Sequence, residues 1–317
     1  MGNIKVGICF SKELQGDSPL SHIVGKLPVY IRLMEFMSEE GWDVYILTRK
    51  TYKGKGIFEG GWIFDSGKFV LTKDTLKIDL VFDRTGGMSF PIKGDLLHVV
   101  NEYDFKALAW DKWATSKVIG EYMPQTFDIN GNEDLQEILS KIRTDWVVLK
   151  PFNGLKGIGI FIGPKKDALK FKLDNKYNHY IAQEFVDTSG GIGEITPGMH
   201  DLRIVLVNSV PVWCHVRVPA KGSLLANAAQ GGNLTEVEYS NVPESIKNVV
   251  KKVSTIFSAN YDNPIYSLDF GINKDGTPYI FEINDQMGFP KWEMDKRDDF
   301  LKALVANFKS KLKKVKV

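Results

Sequence analysis

Asp269, Glu282 and Asn284 are the residues of this chain whose types and spacing point most directly to chemistry. They lie in the stretch 265–289, IYSLDFGINKDGTPYIFEINDQMGF, where two runs of alternating apolar residues flank Asp275 and Gly276. An Asp-Gly pair in that setting predicts a two-residue hairpin. Paired residue numbers then keep a constant sum, which sets Asp269 opposite Glu282, with Asn284 on the same face as Glu282. Opposed side chains sit roughly 4.5–5.5 Å apart at Cβ, where like charges destabilise. A cation between the carboxylates removes that cost. Three hard oxygen ligands suit Mg²⁺, which keeps waters and substrate phosphates in its other positions. These residues therefore point to a metal–nucleotide site. A surface hairpin with its acids in water is the competing reading. On the first reading, Glu282→Gln should leave the metal-free fold intact or slightly more stable.

The elements that must position such a site follow from hydrophobic periodicity. Residues 4–10 read as a buried strand, 29–37 as an amphipathic helix ended at Gly41, and 43–48 as the next strand. That strand–helix–strand unit predicts an open α/β domain in the first hundred residues. No GxGxxG follows the first strand, so a dinucleotide site is not supported. A strand over 78–82 runs into Asp83 and Arg84, and ligands bind beyond the carboxyl ends of strands in such sheets. Both residues are substrate-contact candidates; an exposed loop pair is the alternative. Residues 106–123 read as one helical stretch, and 146–150 as a strand ending in Lys150. The loop 153–159 is glycine-rich, as suits backbone N–H groups laid on phosphate, but lacks P-loop spacing. Strands at 180–186, 202–207 and 212–218, a helix near 243–259 and the hairpin complete the chain. His215 alternates with Arg217 and shares its face, though a lone strand histidine is more often structural.

The 317 residues suffice for two or three packed units, and 43% hydrophobic with 25% charged content is ordinary for a soluble protein. A formal net charge of +2 gives no reason to expect nucleic acid. The 2 cysteines, Cys9 and Cys214, lie in apolar runs, as reduced buried thiols do, which suggests a cytoplasmic location. The start is too quickly polar for a signal peptide, and no apolar run approaches the roughly 20 residues of a membrane span. The lysine-rich end, with Lys309, Lys311, Lys313, Lys314 and Lys316, reads as a solvated helix end.

Further motifs join these in chain order: Asp111-Lys112, Gln183-Glu184-Phe185-Val186, Asp201-Leu202-Arg203 and RVPAKGSLLANAAQGG over 217–232. With Lys150, its loop and the Asp269…Glu282-Ile283-Asn284 set, they resemble the ATP-grasp superfamily. The likeness is strongest to its glutathione-synthetase-like and ribosomal-protein glutamate-ligase-like members, and runs from about Asn101 to Gly288. The resemblance implies an α/β (α+β ATP-grasp) fold. An N-terminal open α/β domain (1–104) would precede a central lid subdomain (105–186) and a C-terminal subdomain with the metal site (187–317), with ATP between the last two.

It also implies an ADP-forming carboxylate–amine ligase acting through an acylphosphate on an amino acid or peptide, with ATP and Mg²⁺, or Mn²⁺, as cofactors. Lys112 and Lys150 would hold the ATP phosphates from opposite sides as point charges. Gly154, Lys156, Gly157 and Gly159 would form a lid over them. Glu184 and Val186 would offer backbone groups to adenine, with Phe185 in apolar contact. Asp201 would face the ribose, an ion pair with Arg203 being the alternative. Arg203, Arg217 and Asn227 would carry catalysis by offsetting charge as two anions approach. Gly231 and Gly232 would let backbone approach the acyl substrate.

The resemblance has gaps. After Asn284 the chain reads Asp285-Gln286-Met287-Gly288, not the small Ser/Thr-Pro-rich loop of glutathione synthetases, so glycine is not the expected amine; Gln286 suggests a different pocket. The glycine-rich insertion at 187–198 is either a substrate lid or a tolerated surface loop. A non-catalytic ATP-binding regulatory protein and an ATP-dependent phosphotransferase are the alternatives. Small-molecule or peptide substrates, no nucleic acid, no membrane and a possible homo-oligomer are the expected partners.

Overall fold

The computed structural model describes residues 3–12, 14, 19–90, 92–95, 97–154, 157–177, 179–220, 222–224 and 233–314. The first unit is built on β1 (Lys5–Phe10), α1 (Leu27–Glu39) and β2 (Asp43–Thr48), the predicted strand–helix–strand, with β1 and β2 parallel. β6 (Leu80–Asp83) pairs in parallel with β1, and β7 (His98–Val100) with β6. These strands are almost continuously apolar because both sheet faces are covered.

Three antiparallel strands extend that sheet beyond β2: β3 (Tyr52–Gly54), β4 (Ile57–Asp65) and β5 (Lys68–Lys77), giving a 7-stranded sheet. No sequence expectation covered them. β5 is mostly exposed and rich in Lys and Thr, so it carries little apolar alternation, as an edge strand protected by charge does.

The predicted helix over 106–123 is two helices, α2 (Tyr103–Trp110) and α3 (Lys112–Ile119), followed by a 3₁₀ turn. Asp111 separates them: its backbone is extended, and its carboxylate caps α3 by accepting from the N–H groups of Trp113 at 2.8 Å and Ala114 at 3.0 Å. A 4-stranded antiparallel sheet follows in the order β10-β9-β11-β8: β8 (Thr126–Ile129), β9 (Trp146–Pro151), β10 (Phe161–Pro164) and β11 (Tyr180–Glu184). The helices α4 (Leu135–Lys141) and α5 (Lys165–Ala168) cover it, and it has its own apolar core around Ile129, Leu139, Leu149 and Tyr180.

The last sheet is 5-stranded, in the order β14-β13-β12-β15-β16. Its members are β12 (Asp201–Val207), β13 (Val210–Val218), β14 (Asn233–Glu236), β15 (Ile265–Ile272) and β16 (Pro278–Asn284). Leu202, Ile204 and Phe270 pack with Phe105 and Leu108 of α2 and Val253 and Phe257 of α6 (Glu244–Asn260). The opposite face divides along its length. Val205, Val207, Trp213 and Ile265 join a core with α1, α7 (Arg297–Lys314) and the first sheet. Asp201, Arg203, Arg217 and Asp269 share that face by the two-residue period and occupy its other end.

The basic end is less solvated than expected. Lys309 pairs with Glu40, and Lys311 is buried at 6% exposure and bonds the Asp262 carbonyl and carboxylate. Both cysteines are buried free thiols, as expected, and burial pushes the Cys214 thiol up to about 12. Among the described residues, no helix is long and apolar enough to cross a membrane.

Candidate active site

Asp269 does face Glu282, but by a different route from the predicted turn. Strands β15 and β16 are joined by the loop 273–277, closed by Asn273 N–H to the Thr277 carbonyl at 3.0 Å, with Gly276 at φ 82°. That loop alone would shift the register by one residue. A bulge at Phe281 shifts it back: Phe270 pairs with Ile280, whereas Asp269 pairs with Glu282. The bulge also serves the site, because it directs the Phe281 carbonyl at Lys150 Nζ, 3.0 Å away, while the Phe281 ring lies over Gly271. A Cβ on Gly271 would stand 2.2 Å from that ring, so glycine is required there.

Asp269 is 3% exposed, which excludes a hairpin with both acids in water. The cations facing these carboxylates belong to the chain itself. Arg203 grips Asp269 through two bonds of 2.6 Å, and Arg217 Nη2 adds a third at 2.7 Å. Glu282 takes Lys112 Nζ at 2.8 Å. The opposition inferred from the register is thus already offset, so neutralising Glu282 strips Lys112 of a partner and does not relieve strain. That ion pair argues for a loss, not the expected gain, in metal-free stability.

Burial alone would raise the Asp269 pKa, but the Arg203 and Arg217 guanidiniums hold its carboxyl well below the usual range. Asp201 sits opposite Arg217 and pairs with it, not with Arg203 as the alternative had it. Burial raises the Asp201 pKa, Arg217 opposes this and Asp269 adds to it. His215 shares the face of Arg217, sits opposite Arg203 and packs its ring at a tilt against Trp213. Burial, then Arg203 and Arg217, keep it neutral.

Except for His215, these groups line a cleft of about 470 Å³ whose walls come from both the 4-stranded and the 5-stranded sheets. Such a volume is typical of small-molecule sites. Lys112, Lys150, Gly154, Gly157, Glu184, Phe185, Val186, Asp201, Arg203, Arg217, Asp269, Glu282, Asn284 and Gln286 all border it. Gly159 lies in the same loop but packs its Cα side toward Pro151, Tyr177 and Tyr180. Lys156, Asn227, Gly231 and Gly232 lie outside the described residues.

Lys112, the first residue of α3, bridges Glu282 and the Gly154 carbonyl, 3.0 Å away. Lys150 is the penultimate residue of β9, with its ammonium buried, and that burial lowers its pKa to about 8. Glu184 commits its carboxylate to Arg143, at 2.9 and 3.0 Å, which orients the strand end and leaves backbone to face the cleft. Val148, Ile160 and Ile162 provide apolar surface beside Phe185.

The metal-ligand set can be tested on donor chemistry. Asp269 and Asn284 approach each other, with Oδ2 to Nδ2 at 3.4 Å, and Glu282 is adjacent on the same strand. Two carboxylates and an amide are donor types that suit a hard divalent ion, which would have to displace the arginine and lysine partners and turn the Asn284 oxygen inward. The group contains only two acids, and among the described residues no cluster of three or more His, Cys, Asp or Glu could hold a metal.

Asp83 and Arg84 are neither exposed nor on the cleft wall. Asp83 is buried, held by Thr85 N–H and Oγ1 at 2.8 and 2.7 Å and by Lys106 at 2.6 Å. Arg84 donates to Tyr30 Oη and to the Met287 carbonyl, each at 3.1 Å, and lies over the rings of Phe82 and Phe289. The next residues, Gly86 and Gly87, do reach the cleft. The insertion at 187–198 is docked: Ile192 is buried, and His200 ties the segment down by bonding the Gly198 carbonyl and accepting the Ile272 N–H. Trp110, Met199 and Phe281 also line the cleft and had no signal beyond being apolar. Lys106 was missed because a lysine among apolar helix residues looks like a surface position.

The three-sheet arrangement is an ATP-grasp fold. D-alanyl-alanine synthetase A from Vibrio cholerae O1 biovar eltor shares it with a TM-score of 0.67 at 12% identity, over 98% of this chain and 99% of that one. The model of the RimK-like ATP-grasp domain matches residues 109–308, and the chain belongs to that family. A glutathione synthetase of Vibrio parahaemolyticus is 30% identical over 123 residues, 35% of this chain and 36% of that protein. A probable alpha-L-glutamate ligase of Halorhodospira halophila is 23% identical over 172 residues, 53% of this chain and 52% of that protein. The matches thus span a third to a half of the length of these curated relatives.

Proposed function

We propose that this chain is an ATP- and Mg²⁺-dependent carboxylate–amine ligase that forms an amide through an acylphosphate on an amino acid or peptide substrate. One observation carries this: Lys112, Lys150, Arg203 and Arg217 converge with Asp269, Glu282 and Asn284 on a single cleft between two sheets. A site that joins two anions needs such fixed positive charge, since the carboxylate must approach a γ-phosphate before the barrier is crossed.

In this reading Val148, Ile162 and Phe185 bind the base, and Lys112 and Lys150 hold phosphate oxygens from the two sides. Asp269, Glu282 and Asn284 would hold the divalent ion, which would offset phosphate charge. Arg203 and Arg217 fix Asp269 and would present remaining N–H groups to the acyl oxygens. The substrate carboxylate attacks the γ-phosphorus and ADP leaves. An amine then attacks the acyl carbon, the C–N bond forms and phosphate departs. The division into 1–104, 105–186 and 187–317 goes with this reading, with α2 and α3 tied by apolar contacts to the last unit.

The test is ADP release with Mg²⁺-ATP across a matrix of carboxylates and amines, with mass spectrometry of active wells. Ligation gives a product equal in mass to acid plus amine minus water. Hydroxylamine in place of the amine gives a hydroxamate if an acylphosphate forms, whereas a stable phosphorylated product marks a phosphotransferase. ATP binding with no turnover in any well would overturn the proposal.

A further inference from the structure

Asp285 and Gln286, just after Asn284, line the cleft with Gly86, Gly87 and Trp110, none of which is among the residues assigned to the base. The segment after Asn284 is held mainly by residues outside its own sheet. Gly86 N–H donates to Gln286 Oε1 at 3.0 Å, Arg84 Nη2 to the Met287 carbonyl at 3.1 Å, and Lys26 Nζ to the Phe289 carbonyl at 2.5 Å. Asn101 Nδ2 lies 3.4 Å from the Asp285 carbonyl and bonds the Ile265 carbonyl at 2.6 Å.

Beneath this segment is a buried ion triad. Lys106 Nζ lies 2.6 Å from Asp83 Oδ2 and 3.2 Å from Asp285 Oδ2. The Lys106 and Asp83 side chains are 2% and 0% exposed, and that of Asp285 is 13% exposed. Buried ions carry a large desolvation cost, and apolar residues of similar volume commonly stabilise as well or better. The neighbours of Lys106 on α2, Phe105, Leu108 and Ala109, are apolar and buried, so a methionine would satisfy the packing. What an apolar residue would not supply is a fixed distance between the end of β6 and Asp285. Lys106 and Asp83 do not line the cleft, so any effect on substrate passes through lining neighbours: Asp285 and Gln286, with Gly86, which bonds Gln286.

We propose that Lys106 is a positioning residue: the Asp83–Lys106–Asp285 triad lets the first sheet set the substrate end of the cleft while leaving the nucleotide end to the other two sheets. The identity of the substrates rests on the ligase reading above; the positioning does not.

The experiment compares the full-length parent with Lys106→Met and Lys106→Arg by hydrogen exchange, Mg²⁺-ATP binding and kinetics. In Lys106→Met, amide exchange over 284–290 should quicken by about tenfold or more while 201–207 is unchanged, and the ATP dissociation constant should stay within about twofold. With the acid–amine pair found in the matrix, KM for a non-nucleotide substrate should rise by about tenfold, and Lys106→Arg should recover most of it. If Lys106→Met does not fold, Asp83→Leu/Lys106→Met replaces the inner pair by apolar groups and should show the same exchange pattern. Unchanged exchange over 284–290, or ATP affinity falling in step with the other constants, would overturn the assignment. Absence of turnover in the parent would count against ligation alone, because the exchange result still decides the role of Lys106.

Discussion

Lys150 is expected to serve the nucleotide at the expense of the nucleotide-free fold. Its ammonium is buried and its pKa is lowered to about 8 from 10.5, first by burial and further by Lys112, with Glu282 opposing. At neutral pH the side chain is still protonated, and the shift corresponds to about 3 kcal/mol held against the folded state. Lys150→Met removes that term but leaves the Phe281 carbonyl without its donor, a loss of about 1 kcal/mol. The variant should therefore be about 2 kcal/mol more stable than the parent near pH 7, while binding Mg²⁺-ATP at least about tenfold more weakly.

The pH dependence supplies a sign that packing alone would not. Between about pH 8 and pH 10.5 the unfolded lysine holds its proton and the folded one does not, so the parent gains stability as pH rises through that window. The advantage of the methionine variant should then shrink and vanish by about pH 10. Urea unfolding of both nucleotide-free proteins at about pH 7 and about pH 10, with calorimetric ATP titrations, measures this. A variant less stable than the parent at pH 7, or a difference that does not narrow with pH, would show that the buried ammonium does not destabilise the nucleotide-free fold.

Three further outcomes are expected. Glu282→Gln should lose most activity and destabilise the metal-free protein by about 1 kcal/mol, since Lys112 keeps only a neutral acceptor; a gain in melting temperature would restore the simpler view from strand register. Asp269→Asn leaves two guanidiniums without their shared carboxylate and should cost about 3–5 kcal/mol in urea unfolding, alongside lost Mn²⁺ binding. Gly191→Ala should cost about 1–3 kcal/mol and open 187–198 to proteolysis, because φ is 77° and the new Cβ would stand 2.4 Å from the Thr196 carbonyl. Unchanged protease resistance there would mean that the insertion is not held by this turn.

Much of the scaffold was legible because periodicity reports burial. The strands read at 4–10, 43–48 and 202–207 and the helix near 243–259 follow from local pattern, and the pairing of Asp269 with Glu282 was also read. The pairing came out correctly because a longer loop and the Phe281 bulge shift the register in opposite directions, and neither shift leaves a mark in apolar alternation. The break at Asp111 was also accessible, since Asp before a helical run is a cap signal.

Local sequence alone told which residue types stand at the ends of apolar strands: lysines and arginines that would suit phosphate, with two acids and an amide that would suit a divalent ion. Which charge meets which was decided only by tertiary structure. Arg203 chose Asp269, Arg217 bridged Asp269 and Asp201, and Lys112 took Glu282, because strand register and sheet-to-sheet packing bring together residues far apart in the chain. The same holds for Asp83 and Lys106, which look like surface residues in sequence and lie buried beneath Asp285. Burial of a charge depends on what covers it, and local sequence does not carry that information.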